Sequence, residues 1–89
     1  MSDKLNELIA DHLLAVRAFR HACDQQLGPK IEDEAFEAEE LAMMALCSYP
    51  PGNIEEARRR ACYLLLTRFA ADLTMEGLAL LQSFTATGP

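Results

Sequence analysis

The chain has 89 residues, a length typical of one domain, and its formal net charge is −6 because fourteen acidic residues oppose eight basic ones. Such a surface repels phosphate backbones and anionic membranes, which argues against direct nucleic-acid binding and membrane attachment. Hydrophobic residues make up 51% of the chain but only 7% are aromatic, and Ala and Leu favour helices over strands. The composition therefore predicts an all-α fold.

The hydrophobic pattern predicts a first helix over residues 3–27, with Ser2 as its N-cap. The seam of this helix comprises Leu5, Ile9, His12, Val16, Phe19 and Cys23, widened by Leu8, Leu13 and Leu27. Gly28 is expected to form the left-handed cap, and Pro29 prevents continuation. His12 is expected to form a hydrogen bond with a facing carboxylate or carbonyl inside a helix interface.

A second helix is predicted over residues 30–48, with Pro29 in its first turn. Its alanine stripe is expected to pack closely on a neighbouring helix. The stripe comprises Ile31, Ala35, Ala38, Ala42, Ala45 and Tyr49. Another side of the helix carries Phe36, Met43 and Cys47. Because a helix that is apolar on two sides needs two neighbours, this pattern predicts a homodimer.

The segment 49–53 ends the second helix, since neither Pro50 nor Pro51 fits a helix interior. Asn53 then caps a third helix over residues 54–73, and Glu56 is placed to complete a capping box. Either the third helix continues to Phe84, or Thr74 caps a short fourth helix over 75–84, which is the arrangement we favour. Residues 85–89 are expected to fray. The whole chain, 1–89, is predicted to be a single helical domain, a three-helix bundle or a four-helix bundle with a short last helix.

Motifs for catalysis or metal binding are weak. His12 and His21 are nine residues apart on different sides of one helix, so they cannot chelate one metal. The chain has no HExxH motif and no Glu-x-x-His pair. The sequence after His12 lacks the lysine and glycine expected of a phosphotransfer histidine. We therefore predict a non-enzymatic protein with no catalytic, cofactor-binding or metal-binding residue.

Cysteine usage and hydropathy predict a cytoplasmic location. Cys23, Cys47 and Cys62 are odd in number and form no CxxC pair, so they are expected to be buried reduced thiols. No apolar run approaches 18 residues, and the N-terminus has no signal-peptide core.

Charged residues cluster in two places. Six carboxylates lie within residues 32–40, either as a solvated face or as a patch that docks a basic partner, and an arginine run occupies residues 58–60. The arginine run is expected to form salt bridges within or between chains. The predicted protein-binding surface comprises Phe36, Glu37, Glu40, Met43, Cys47, Arg58 and Arg59.

The run EAEELAMMALCSYPPGNIEEARRRACYLLLTRFAADL and the later GLALLQSF resemble a loose group of small helical proteins of α-proteobacteria and their prophages. Those proteins have an acidic alanine-rich helix, a proline-bearing turn, an amphipathic helix and a short terminal helix. The likeness covers residues 31–84, and the chain departs from it at 52–54, where Thr and Gly are more usual. It implies a short last helix and a bacterial or phage origin, and it transfers no activity.

Two classes of function remain open. The preferred one is a non-enzymatic helical module that dimerises and binds another protein. The alternative is a small acidic phage-type inhibitor, of the anti-CRISPR or nucleic-acid-mimic class, that binds a nucleic-acid-processing complex. A net charge of −6 is modest for a nucleic-acid mimic.

Overall fold

The computed structural model describes residues 4–85, apart from the side chain of Arg68, and every regular element among them is an α-helix. The helices are α1 (Lys4–Asp24), α2 (Pro29–Ser48), α3 (Ile54–Leu65), α4 (Arg68–Ala71) and α5 (Met75–Ser83). The all-α prediction is therefore confirmed. None of these helices combines the length and the hydropathy that a membrane span requires. The predicted N-cap Ser2 and residues 86–89 lie outside the described part.

The chain forms two compact units, Met1–Tyr49 and Pro50–Pro89. The first unit is a pair of helices, α1 and α2, that pack along each other. In the second unit, α3 packs against both α4 and α5. The prediction of a single domain stays a prediction.

The face by which α1 packs follows the predicted seam except at its end. Five seam residues are buried or half-buried, namely Leu5, Ile9, His12, Val16 and Phe19. Cys23, predicted as the sixth, is exposed, while its neighbour Ala22 is only 2% exposed. The change coincides with the turn that follows the helix, where the backbone amide of Leu27 donates to the carbonyl of Ala22 over 3.1 Å.

Gln26, rather than the predicted Gly28, forms the left-handed cap of α1. Its φ is 51°, the positive value that L residues rarely adopt. Its amide donates to the carbonyl of Cys23 over 3.2 Å, and the bond from Leu27 to Ala22 completes a Schellman motif. Gly28, with φ 107°, instead lies at the N-cap of α2 before Pro29. The backbone therefore has positive φ at both Gln26 and Gly28, and the sequence pattern predicted it only at Gly28.

The packing face of α2 differs from the predicted alanine stripe. Glu39, Met43 and Leu46 are buried. Within the stripe, Ile31 is 46% exposed, and Ala38 and Ala45 are also exposed. Larger side chains remove more apolar surface from water than alanine does, so the burial of Met43 and Leu46 outweighs the closer approach that a stripe of alanines permits.

The turn after α2 has the predicted capping chemistry with one change. The backbone amide of Glu56 donates to Oδ1 of Asn53 over 2.8 Å, as an N-cap requires. The carboxylate of Glu56 accepts from the amide of Gly52 over 2.6 Å, one residue before the amide used in a standard capping box. The local sequence therefore determines where α3 begins.

The predicted third helix over 54–73 is divided, because Thr67 begins a new turn after α3. Its hydroxyl donates to the carbonyl of Leu64 over 2.7 Å and accepts from the amide of Phe69 over 3.2 Å. A threonine that bonds to nearby backbone groups in this way competes with the helical ladder. The break predicted at Thr74 is also present, since its hydroxyl accepts from the amide of Gly77 over 3.0 Å. Thr85, expected to fray, bonds to the carbonyl of Gln82 over 2.7 Å.

We expect Gln26→Gly to stabilise the protein by roughly 0.5–1 kcal/mol, because glycine adopts positive φ without the clash of a Cβ. Urea unfolding followed by circular dichroism measures the change. Gln25→Gly is the matched control, since Gln25 has no positive φ and the added chain freedom should destabilise the protein by a similar amount. Equal destabilisation by both changes would contradict the left-handed assignment of Gln26.

Candidate functional site

A buried hydrogen bond joins the two helices of the first unit. Nε2 of His12 on α1 lies 3.0 Å from Oε2 of Glu39 on α2, and the two side chains are only 2% and 3% exposed. The prediction that His12 bonds to a facing carboxylate is confirmed. Glu39, however, was assigned to the acidic cluster, and the structure places it in the interior. The signal for this was present: Glu39 occupies the same helical face as Phe36, Met43 and Leu46.

The burial of this pair determines what it can do. Polar groups taken out of water are costly unless they are hydrogen-bonded, so His12 and Glu39 stabilise the packed state chiefly by satisfying each other. The pair is therefore a structural element of the α1–α2 interface.

An aromatic contact lies on the same interface. The rings of Phe19 on α1 and Phe36 on α2 have centroids 5.3 Å apart and are tilted by 48°, the offset arrangement that aromatic pairs favour. Phe36 was predicted to bind another protein. In the structure, its ring packs against Phe19 of the same chain.

The seven predicted protein-binding residues occupy three different settings. Phe36, Met43 and Cys47 are half-buried or buried on the packing side of α2, and Glu37 and Glu40 are exposed on the same helix. Arg58 and Arg59 belong to the second unit. Nη1 of Arg58 lies 3.3 Å from Oε2 of Glu55, its Nε is buried without a hydrogen-bond partner among the described residues, and Arg59 is exposed.

A second surface lies on α2 away from α1, and we name it the outer face. It comprises Asp33, Glu34, Glu37, Glu40, Leu41 and Met44, all of which are exposed. Leu41 is 66% exposed and Met44 is 65% exposed. Within residues 4–85, the four carboxylates of this face form no ion pair and no hydrogen bond. The outer face therefore carries exposed apolar side chains together with carboxylates whose charge is not neutralised by an ion pair among the described residues.

The cysteines differ from the prediction of buried thiols. Cys23 and Cys62 are exposed free thiols, and Cys47 is half-buried. Partial loss of hydration raises the pKa of the Cys23 thiol, and the negative charges of Glu32 and Asp24 raise it further. Because the thiolate is the reactive form, these neighbours make Cys23 less reactive.

Metal-binding geometry is absent from the described residues. Between residues 4 and 85, no three side chains of His, Cys, Asp or Glu come together in a group that could hold an ion.

We expect a double-mutant cycle on His12→Ala and Glu39→Ala to give a coupling of about 1–3 kcal/mol in the free energy of unfolding, because each single change leaves a buried polar group without its partner. Urea unfolding of the two single variants and the double variant measures it. Asp11→Ala and Glu40→Ala provide the control, since these neighbouring residues are exposed and should show no coupling. A coupling near zero for the buried pair would contradict its assigned role.

We expect Glu32→Gln to increase the rate at which iodoacetamide alkylates Cys23 by roughly twofold near pH 8, because removing a nearby negative charge lowers the thiol pKa and increases the thiolate fraction. Mass spectrometry of the Cys23 peptide follows the reaction. The raised pKa also means that the wild-type rate should continue to increase with pH beyond the range of an ordinary thiol. Glu34→Gln, which alters an exposed carboxylate not among the charges acting on Cys23, should leave the rate unchanged; an equal acceleration would show that the effect is not local.

Comparison with known proteins gives no assignment: no family model, no curated protein and no solved structure matches this chain. The buried pair and the outer face of α2 are therefore judged by their own geometry.

Proposed function

We propose that this chain is a non-enzymatic, cytoplasmic helical module that acts as a homodimer and binds another protein. The observation that carries the proposal is the amount of apolar surface left uncovered. Among the described residues, eleven large hydrophobic side chains are exposed, whereas six apolar residues are buried. Single exposed leucines are ordinary, but so many in a small chain are typical of surfaces that associate.

The exposed side chains are distributed over several helices. They include Leu13 on α1, Ile54 on α3 and Met75 on α5, whose exposures are 43%, 73% and 81%. An amphipathic helix is stable when its apolar side packs against a neighbour. In this proposal, each chain forms the predicted three- or four-helix bundle, and a second copy covers these side chains.

The buried His12–Glu39 pair supports a non-enzymatic role. General acid–base catalysis requires the titratable group to reach the proton that it transfers. His12 and Glu39 are both almost wholly buried, so this pair is suited to holding helices together.

The acidic outer face favours a second candidate, a phage-type inhibitor that occupies the basic surface of a nucleic-acid-processing complex. Its four unpaired carboxylates lie along one helix, as the phosphates of a strand lie along its backbone. Recovery of a nuclease or a CRISPR effector in a pull-down from the native host would favour this candidate over the assembly module.

We expect light scattering to give a molar mass near twice the 9.9 kDa of one chain, because association removes exposed apolar surface from water. Measurement over a range of protein concentrations follows the equilibrium. The mass should decrease on dilution if the subunits exchange. A mass of 9.9 kDa at the highest concentration would exclude the homodimer.

A further inference from the structure

The outer face of α2 combines an acidic half with an apolar half. Asp33, Glu34 and Glu37 lie towards its N-terminal end, and Leu41 and Met44 lie towards its C-terminal end. Glu40 lies between the two halves. Since residues four apart lie one above the other on a helix, Glu37 is one turn from Leu41 and Glu40 is one turn from Met44. Each exposed apolar side chain therefore has a carboxylate one turn away.

The carboxylates of this face are poorly explained by helix stability alone. A negative charge stabilises the first turn of a helix through the dipole, but Glu37 and Glu40 lie well beyond the first turn of α2, which begins at Pro29. Asp33 and Glu37 are spaced i, i+4, and Glu37 and Glu40 are spaced i, i+3. Like charges at these spacings destabilise a helix. Cations brought by a partner would relieve that repulsion.

We propose that the outer face of α2 binds a basic amphipathic helix of another protein. The partner's apolar side chains cover Leu41 and Met44, and its Lys or Arg side chains, one turn away, pair with Glu37 and Glu40. This is the helix-to-helix mode of recognition, in which apolar anchors supply contact area and charges supply specificity. The inference rests on the proposed protein-binding function, because it names the partner of a surface that contains Glu37 and Glu40.

Pairing of the outer faces of two copies would leave these carboxylates without cations. If two outer faces paired antiparallel about Leu41 and Met44, Glu37 would lie opposite Ser48 and Glu40 opposite Ala45 of the other copy. Those positions carry no cation, so the carboxylates would lose water without gaining a partner. Parallel pairing would place each carboxylate opposite the same carboxylate of the other copy. An anionic membrane surface is excluded by charge as well.

The test uses the full chain and a synthetic helical peptide of about 20 residues made of Leu, Lys and Ala, a length at which an isolated helix can form. Its leucines lie along one face and its lysines lie one turn from them; a second peptide has glutamate in place of lysine. Fluorescence anisotropy measures the Kd of each peptide. We expect the lysine peptide to bind and the glutamate peptide not to bind.

Two double variants of the outer face locate the site. Leu41→Ser with Met44→Ser should weaken binding about tenfold or more by removing the apolar anchors. Glu37→Gln with Glu40→Gln should weaken it to a similar extent and reduce its dependence on salt. The matched control is Asp11→Asn with Leu14→Ser on α1, where both residues are exposed and three apart; this variant should change the Kd by less than about twofold.

Several results would overturn the proposal. If the α1 control variant lost as much affinity for the lysine peptide as the outer-face variants, the binding would be general charge attraction. If the glutamate peptide bound as well as the lysine peptide, charge would play no part in the binding. Conversion of a dimer into a monomer by Leu41→Ser with Met44→Ser, without any effect on the peptide, would identify a second copy as the occupant. Circular dichroism checks that each variant is folded. A monomeric mass in light scattering would remove the homodimer but leave this proposal standing, so the two can fail independently.

Discussion

The α1–α2 unit depends on one interaction, the buried hydrogen bond between His12 and Glu39. Two side chains that could each carry a charge are withdrawn almost completely from water, which is tolerable only if each satisfies the other. A rotation or a shift of α2 by one residue would separate them and break this hydrogen bond. The pair therefore helps to specify the register and the orientation of the two helices, together with the buried side chains of Met43 and Leu46.

The orientation of α2 has consequences on both of its sides. With Glu39 directed inward, Met43 and Leu46 are buried and the ring of Phe36 meets that of Phe19. The same orientation places Glu37, Glu40, Leu41 and Met44 in solvent. The orientation of α2 therefore determines both which of its side chains are buried and which are exposed. This links the structural role of the buried pair to the proposed binding role of the outer face.

Local signals predicted most of the elements. Pro50, Pro51, Asn53 and Thr74 act through their own backbone geometry and hydrogen bonds, so the start of α3 and the start of α5 were predictable. The break at Thr67 and the left-handed Gln26 were missed, because threonine and glutamine also occur inside helices. The candidate site was predicted in part: His12 was assigned a hydrogen-bonded interface position, but its partner Glu39 was hidden among five other carboxylates of the same segment.

The residues alone predict that the chain is helical and where most of its helices start, and they indicate more apolar residues than one small core can hide. These properties follow from propensity, capping and composition, which act over a few residues. Which side of α2 is buried depends on packing between helices, because α2 has two apolar sides with the same period and either could pack on α1. That choice depends on a contact between residues 12 and 39, which are 27 positions apart. No local pattern contains such a contact, and it determines which carboxylates and which apolar side chains are left exposed for a partner.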